Sequence, residues 1–127
     1  MLNNRLAQQE RRKQPRIVKR LSLEVKGNAF DLVTETQNIS LSGVYCQIDK
    51  DIELMAKVSI LLFLPVRGKD NKESTKQVCC KGVVVRVEKA GDGRFNIAVF
   101  FNEMKKTDEN TIRQYLESHF QPKPALA

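Results

Sequence analysis

The sequence predicts a mainly β fold, in which six short strands are followed by one C-terminal helix. Apolar and polar residues alternate through most of the chain, as they do in strands that have one buried face. Turn signals such as Lys26-Gly27-Asn28 and Gly91-Asp92-Gly93 separate these runs. Helical spacing replaces the alternation only near the C-terminus. Consecutive short strands with tight connections favour a small antiparallel barrel or sandwich.

The strands are predicted from the alternation and the turns between the runs. In the first of them, RLSLEV, every second residue is apolar. The predicted strands are residues 20–25, 30–39, 43–48, 57–65, 77–90 and 94–101. The fourth is too apolar for an edge strand and is expected to stop at Pro65, which has no N–H to donate to a sheet. The polar residues 66–76 are predicted to form a loop.

The helix is predicted from a change of period at the end of the chain. Thr107 can cap a helix, and residues 108–110 (DEN) place acid at its positive end. The residues at helical spacing are Ile112, Tyr115, Leu116, His119 and Phe120. The helix is expected to stop by Pro122.

Length and hydropathy predict one domain without a membrane-spanning segment. A chain of 127 residues suits a single domain, here taken as residues 10–120 between a leader (1–9) and a tail (121–127). The longest apolar run, residues 60–66, is too short to span a bilayer. The first residues show no apolar core of a secretory signal. A cytoplasmic protein without membrane insertion is therefore expected.

The cysteines and the single histidine do not suggest a metal site or an active site. Cys79 and Cys80 are adjacent, so on a strand they point to opposite faces and cannot clamp one metal ion together. Cys46 stands alone, and His119 lies far along the chain, at the C-terminal helix. No paired carboxylates, Cys-His pair or Ser-His-Asp set is placed for catalysis. We therefore expect no metal, no catalytic residue and no enzyme activity.

The positive charge is concentrated at the N-terminus. Residues 1–20 contain seven cations and one acid, Glu10, and so hold +6 of the net charge of +7. Such a concentrated field suggests an anionic ligand or partner, although a solvated basic tail would have the same composition. The segment has few apolar anchors and repels itself, which predicts a flexible basic N-terminal segment.

Two arginines in this segment are spaced four apart, as Arg12-x-x-x-Arg16, and Arg11 precedes them. An arginine fork can donate two parallel hydrogen bonds to O6 and N7 of guanine, and it can also clamp a phosphate. Its flat guanidinium can stack on a purine, which a lysine ammonium cannot do. This pattern therefore fits a ligand that has both guanine edges and phosphates.

A second motif, Asn38-x-Ser40-x-x-Gly43, connects two predicted strands. Asn38 can bond to its own backbone or to a ligand edge, and Ser40 offers a hydroxyl. Gly43 permits either a positive φ or a close approach by a ligand. Each motif is common by itself. The two motifs in this order, with Arg16 and Asn38 separated by 22 positions and a predicted hairpin between them, are a more specific pattern.

Together, RRKQPR (11–16) and NISLSG (38–43) resemble the signature of the PilZ domain, a bacterial receptor module for cyclic di-GMP. The resemblance extends over roughly residues 10–120 and includes a closing hairpin with the strand VVR (84–86). It implies a six-stranded antiparallel β-barrel with a helix after the last strand.

The resemblance also implies ligand-binding residues for cyclic di-GMP. Arg12 and Arg16 match the arginines that take guanine and phosphate, while Asn38, Ser40 and Gly43 match the motif that closes on the ligand from the barrel surface. The family more often has aspartate at the position of Asn38, so this chain has one charge less there.

Three further positions are compared with the family. The resemblance implies that Arg11 occupies a place where members often have another ligand-facing residue, one that influences whether one ligand or a stacked pair binds. Arg86 is a further candidate, and a salt bridge on the barrel wall would explain it equally well. Ala98 stands where a glycine is often found.

The expected function is a cyclic di-GMP receptor that orders its N-terminal arginine segment over the barrel and signals in trans to a protein effector. No cofactor beyond this ligand is implied. One alternative is a PilZ-like adaptor that works without ligand. Another is a nucleic-acid-binding barrel with a basic arm. The barrel body is nearly neutral and no row of exposed aromatic residues is evident, so DNA or RNA is not expected.

Overall fold

The computed structural model of the chain describes residues 16–68, 70 and 72–120. These contain six strands and one helix: β1 (Ser22–Lys26), β2 (Asp31–Ile39), β3 (Gly43–Ile48), β4 (Lys57–Arg67), β5 (Glu73–Gly91), β6 (Arg94–Met104) and α1 (Lys106–Phe120). The predicted fold class is confirmed. Residues 1–15, which include the predicted leader and most of the predicted flexible segment, lie outside the described residues. The predicted tail (121–127) does so too, and these assignments stay predictions.

The strands form a closed barrel in the order β1-β2-β3-β6-β5-β4, and every neighbouring pair is antiparallel. The barrel is closed by β1 and β4, where Leu23 lies opposite Leu62. Of the two architectures that the sequence left open, the structure is therefore the barrel. Among the described residues, no helix has the length and apolarity needed to cross a membrane.

In β1 the inward side chains are those that the alternation predicted. Leu23 and Val25 of β1 are fully buried, as are Ile97 and Val99 of β6. Helix α1 adds three buried side chains to the same core, Ile112, Tyr115 and Leu116. It packs against β4 and β5. Removing this apolar area from water is the main stabilising contribution to a fold of this size.

The predicted stop at Pro65 and the predicted loop over residues 66–76 were wrong. Strand β4 continues through Pro65 to Arg67, and β5 already begins at Glu73, which lies opposite Arg67. The pairing of β4 with β1 ends at Leu62. Beyond that point β4 pairs only with β5, so the edge position of Pro65 requires no N–H donor.

The predicted turn between the last two strands is confirmed. Gly91 lies opposite Arg94, and the two residues between them, Asp92 and Gly93, have φ values of 56° and 73°. Two positive φ angles in a two-residue hairpin loop are typical of a type I′ turn, which Asp-Gly favours. At the helix, Thr107 does not precede the first turn as predicted but lies inside it, because α1 begins at Lys106.

Candidate functional site

The chain that leads into β1 is attached along the end of β2. Ile17 and Ile39 exchange two backbone hydrogen bonds, of 2.9 and 3.0 Å. Further along, the buried Thr36 accepts a hydrogen bond from the backbone N–H of Leu21 at 2.9 Å and donates its own N–H to the Leu21 carbonyl at 2.8 Å. These contacts hold the backbone next to Arg16 against the barrel.

The attachment brings the two sequence motifs into contact. Arg16 donates a hydrogen bond from Nη1 to Oδ1 of Asn38 over 2.7 Å, although the residues lie 22 positions apart. Arg16 is exposed and Asn38 is half-buried. A guanidinium has five N–H donors, and this bond engages one of them. The two motifs therefore meet in the folded chain.

Ser40 lies inside the turn between β2 and β3, and its side chain is 1% exposed. Its backbone N–H donates to the Gly43 carbonyl at 2.9 Å, and its hydroxyl accepts from the backbone N–H of Ser42 at 3.2 Å. The two serine hydroxyls are 3.1 Å apart. The Ser40 hydroxyl thus stabilises the turn. Its contact with a ligand stays a prediction.

Gly43 is required by the barrel itself. An ideal Cβ at this position would lie 2.2 Å from the carbonyl oxygen of Val99 on β6. Gly43 is not among the residues with positive φ. A glycine is therefore needed at position 43 because β3 and β6 approach each other closely there, and not because the backbone requires a positive φ.

Arg86 lies on the same outer face as Asn38. Cross-strand pairing forms a row around the barrel, in which Asn38 lies opposite Tyr45, Tyr45 opposite Ala98, and Ala98 opposite Arg86. A bulge at Val85 shifts the register just before Arg86. No ion pair within 4.0 Å involves Arg86 among the described residues, so the salt bridge that could have explained it is not observed.

A polar cluster that the sequence did not single out adjoins this row. The Tyr45 hydroxyl donates to Oε1 of Glu88 over 2.8 Å, and Gln47 Nε2 donates to Oδ1 of Asn96 over 3.0 Å. Burial, followed by the hydrogen bond to Glu88, raises the pKa of Tyr45 above its ordinary value, so the hydroxyl stays a donor at neutral pH. The alternation in GVYCQI places Tyr45 outward, but no local pattern shows its partner on β5.

The remaining candidates, Arg11 and Arg12, lie outside the described residues. The structure brings together Arg16 and Asn38, places Ser40 and Gly43 in the adjoining turn, and places Arg86 further along the same face. Ligand contacts by all of these residues stay predictions.

The cysteines lie apart from this face. Cys46 and Cys80 are buried, whereas Cys79 is exposed, which confirms the expected opposite orientation of the adjacent pair. Burial raises the pKa of Cys46 and that of Cys80 to about 12. The described part of the chain contains no group of side chains that could hold a metal ion.

These positions predict that one thiol of three reacts with Ellman's reagent in the native protein at pH 8. A thiol of pKa about 12 has a thiolate fraction of roughly one in ten thousand at that pH, and the thiolate is the nucleophile. All three are expected to react after unfolding. The variant Cys79→Ser is expected to lose the fast phase. A second fast thiol in the native protein would contradict the assigned burial.

The family model of the PilZ domain matches residues 10–118. The chain belongs to the PilZ family. Comparison with curated protein sequences finds no match.

Solved structures share the fold of this PilZ domain. The inhibitor of motility MotI/DgrA of Bacillus subtilis is 16% identical, with a TM-score of 0.70, over 85% of this chain and 50% of its own. The PilZ domain of CeSA from a cellulose-synthesizing bacterium is 17% identical, with a TM-score of 0.55, over 83% of this chain and 98% of its own. MrkH, described as a c-di-GMP-dependent transcription regulatory factor, is 16% identical, with a TM-score of 0.58, over 85% of this chain and 50% of its own. This PilZ domain thus spans about half the length of MotI and of MrkH.

Proposed function

We propose that this PilZ domain is a receptor for cyclic di-GMP that passes the signal to a protein effector in trans. The observation that supports this most directly is the 2.7 Å hydrogen bond between Arg16 and Asn38. It joins the two motifs that define the family's ligand site and directs an arginine at the barrel surface. Membership of a family of binding and regulatory proteins supports a receptor rather than an enzyme.

The outer face next to this bond has the groups that such a ligand requires. Arg16, bonded to Asn38, lies at one end and Arg86 at the other, and Asn38 and Arg86 are three inter-strand steps of about 4.8 Å apart along the barrel wall. Between them, Ala98 has only a methyl side chain, so it takes up little space on the outer face. Guanidinium groups at both ends can bind phosphates or guanine edges, and a guanidinium does so with two parallel hydrogen bonds.

The response to the ligand is proposed to come from the N-terminal segment. Ile17 is hydrogen-bonded to the barrel, so it can serve as the fixed end of a segment that contains Arg11 and Arg12. A ligand with two phosphates would draw these cations over Asn38. Ordering a segment costs conformational entropy, which charge-assisted hydrogen bonds can offset. The new surface would then bind the effector.

Two other functions make different predictions for binding. A ligand-independent adaptor would bind no dinucleotide. A nucleic-acid-binding barrel would bind polyanions regardless of base, and its affinity would fall steeply with salt. Cyclic di-AMP separates base recognition from charge, because adenine has a donor where guanine O6 accepts.

The test is isothermal titration of the chain with cyclic di-GMP, with cyclic di-AMP and with a short single-stranded DNA. We expect micromolar or tighter binding of cyclic di-GMP, at least about tenfold weaker binding of cyclic di-AMP, and loss of binding in Arg12→Ala. Lys57→Ala, an exposed cation of β4, is the control for general loss of charge. Equal binding of both dinucleotides, or no binding of either, would overturn the proposal.

A further inference from the structure

A carboxylate is held on the same outer face as the candidate site. Glu88 follows Arg86 by two residues on β5, and it lies opposite Asn96 on the neighbouring strand. Arg86 and Glu88 are both exposed, while Val87 between them lies opposite the buried Ile97. Arg86 and Glu88 therefore point outward side by side. No ion pair within 4.0 Å joins these two side chains, both of which are described.

Glu88 is positioned by Tyr45, which lies in the row between Asn38 and Ala98. The hydroxyl of Tyr45 donates to Oε1 of Glu88 over 2.8 Å. An ionised carboxylate has two oxygens and only accepts hydrogen bonds, so this bond orients the group while Oε2 remains an acceptor. The raised pKa of Tyr45 keeps its hydroxyl protonated.

This arrangement complements one edge of guanine. The Watson–Crick edge of guanine has two adjacent donors, N1–H and the 2-amino group, whereas adenine has an unprotonated acceptor at N1. Asn38 already accepts from Arg16 through Oδ1, so its amide mainly offers donors toward a ligand. A carboxylate near the row supplies the acceptor that the arginines and Asn38 do not.

We propose that Glu88, held by Tyr45, accepts the Watson–Crick donors of a guanine of cyclic di-GMP and is a specificity-determining residue of the site. The inference rests on the proposed function. It also predicts how the ligand is oriented. The carboxylate repels phosphates, so the base lies toward Glu88 while the phosphates lie toward Arg16, at the other end of the row.

The inference is tested with cyclic di-IMP, in which hypoxanthine lacks the 2-amino group but keeps N1–H, O6 and N7. The wild-type protein is expected to bind cyclic di-GMP about tenfold more tightly than cyclic di-IMP, the usual effect of a hydrogen bond to a charged group. In Glu88→Gln, whose amide oxygen is only a neutral acceptor, this preference is expected to fall to about threefold or less. Tyr45→Phe, which frees the carboxylate, is expected to lower it partly.

The matched control is Glu103→Gln, an exposed carboxylate of β6. It removes the same charge and is expected to leave the preference unchanged. Thermal unfolding of each variant shows whether the barrel is intact. An unchanged preference in Glu88→Gln, or no preference in the wild type, would overturn the inference while the receptor function stands. Absence of cyclic di-GMP binding in the wild type would overturn both.

Discussion

Gly43→Ala is expected to lower the free energy of unfolding by about 3 kcal/mol, the upper end of the usual effect of an overpacked core. The added methyl carbon would lie 2.2 Å from the carbonyl oxygen of Val99 and 3.2 Å from its carbon. Both atoms belong to the backbone, so a change of side-chain rotamer cannot relieve the clash. Strands β3 and β6 would have to separate where Gly43 lies opposite Phe100. Urea denaturation measures the change.

Gly91→Ala is the control that separates crowding from conformational strain. Gly91 has a φ of 88°, but a Cβ there would have no heavy atom within 4 Å. An alanine at positive φ costs about 1 kcal/mol. Equal or smaller destabilisation by Gly43→Ala than by Gly91→Ala would show that the strands can adjust, and would contradict the steric explanation.

The role of Gly43 in the barrel changes how its place in the binding motif is interpreted. A glycine in Asn38-x-Ser40-x-x-Gly43 suggests a site where a ligand approaches the backbone. In this structure the space is occupied by β6, and Ser40 is bonded within the turn. Loss of ligand binding in Gly43→Ala would therefore follow from a distorted turn, and it would be no evidence of direct contact.

The sequence predicted those features that depend on neighbouring residues. Alternation identified the inward side chains of β1, and Asp92-Gly93 identified the turn between β5 and β6, because both patterns result from local backbone geometry. The resemblance to the PilZ family implied that Arg16 and Asn38 bind the same ligand, but it did not predict the hydrogen bond between them. The barrel then accounts for it through the Ile17–Ile39 bridge.

Features that depend on distant strands could not be predicted. Pro65 looks like a strand end until it is known that β4 has lost its β1 neighbour there. The contact of Tyr45 with Glu88 joins residues 43 positions apart, and the bulge between Val84 and Arg86 sets its register. A shift of one residue would turn Glu88 inward, so no reading of β5 alone could have found this pair.

Arg16→Ala is expected to weaken cyclic di-GMP binding at least about a hundredfold. Two charge-assisted hydrogen bonds from a guanidinium contribute about 1.5–3 kcal/mol each, and 1.4 kcal/mol corresponds to tenfold in affinity. Arg16→Lys keeps the charge but loses the planar fork, so we expect it to recover only a small part of the loss. Isothermal titration measures both variants.

The folded protein is expected to tolerate these changes. Arg16 is exposed, and solvent screening limits what its bond to Asn38 contributes to stability to about 1 kcal/mol or less. The control is Arg113→Ala, which removes an exposed arginine paired with Glu109 on the helix. It is expected to bind cyclic di-GMP like the wild type. Wild-type affinity in Arg16→Ala would contradict the assignment of the arginine motif.

Variants of Asn38 distinguish two roles for this residue: it can orient Arg16 through their hydrogen bond, or it can bind the ligand itself. If Asn38 acts by orienting Arg16, Asn38→Ala weakens binding less than Arg16→Ala, and the double variant binds no more weakly than Arg16→Ala alone. If Asn38 binds the ligand independently, the two losses in binding free energy add. The 2.7 Å contact favours the first outcome, because residues in direct contact are rarely additive. Additive losses would show that Asn38 binds the ligand independently of Arg16, and would contradict the orienting role.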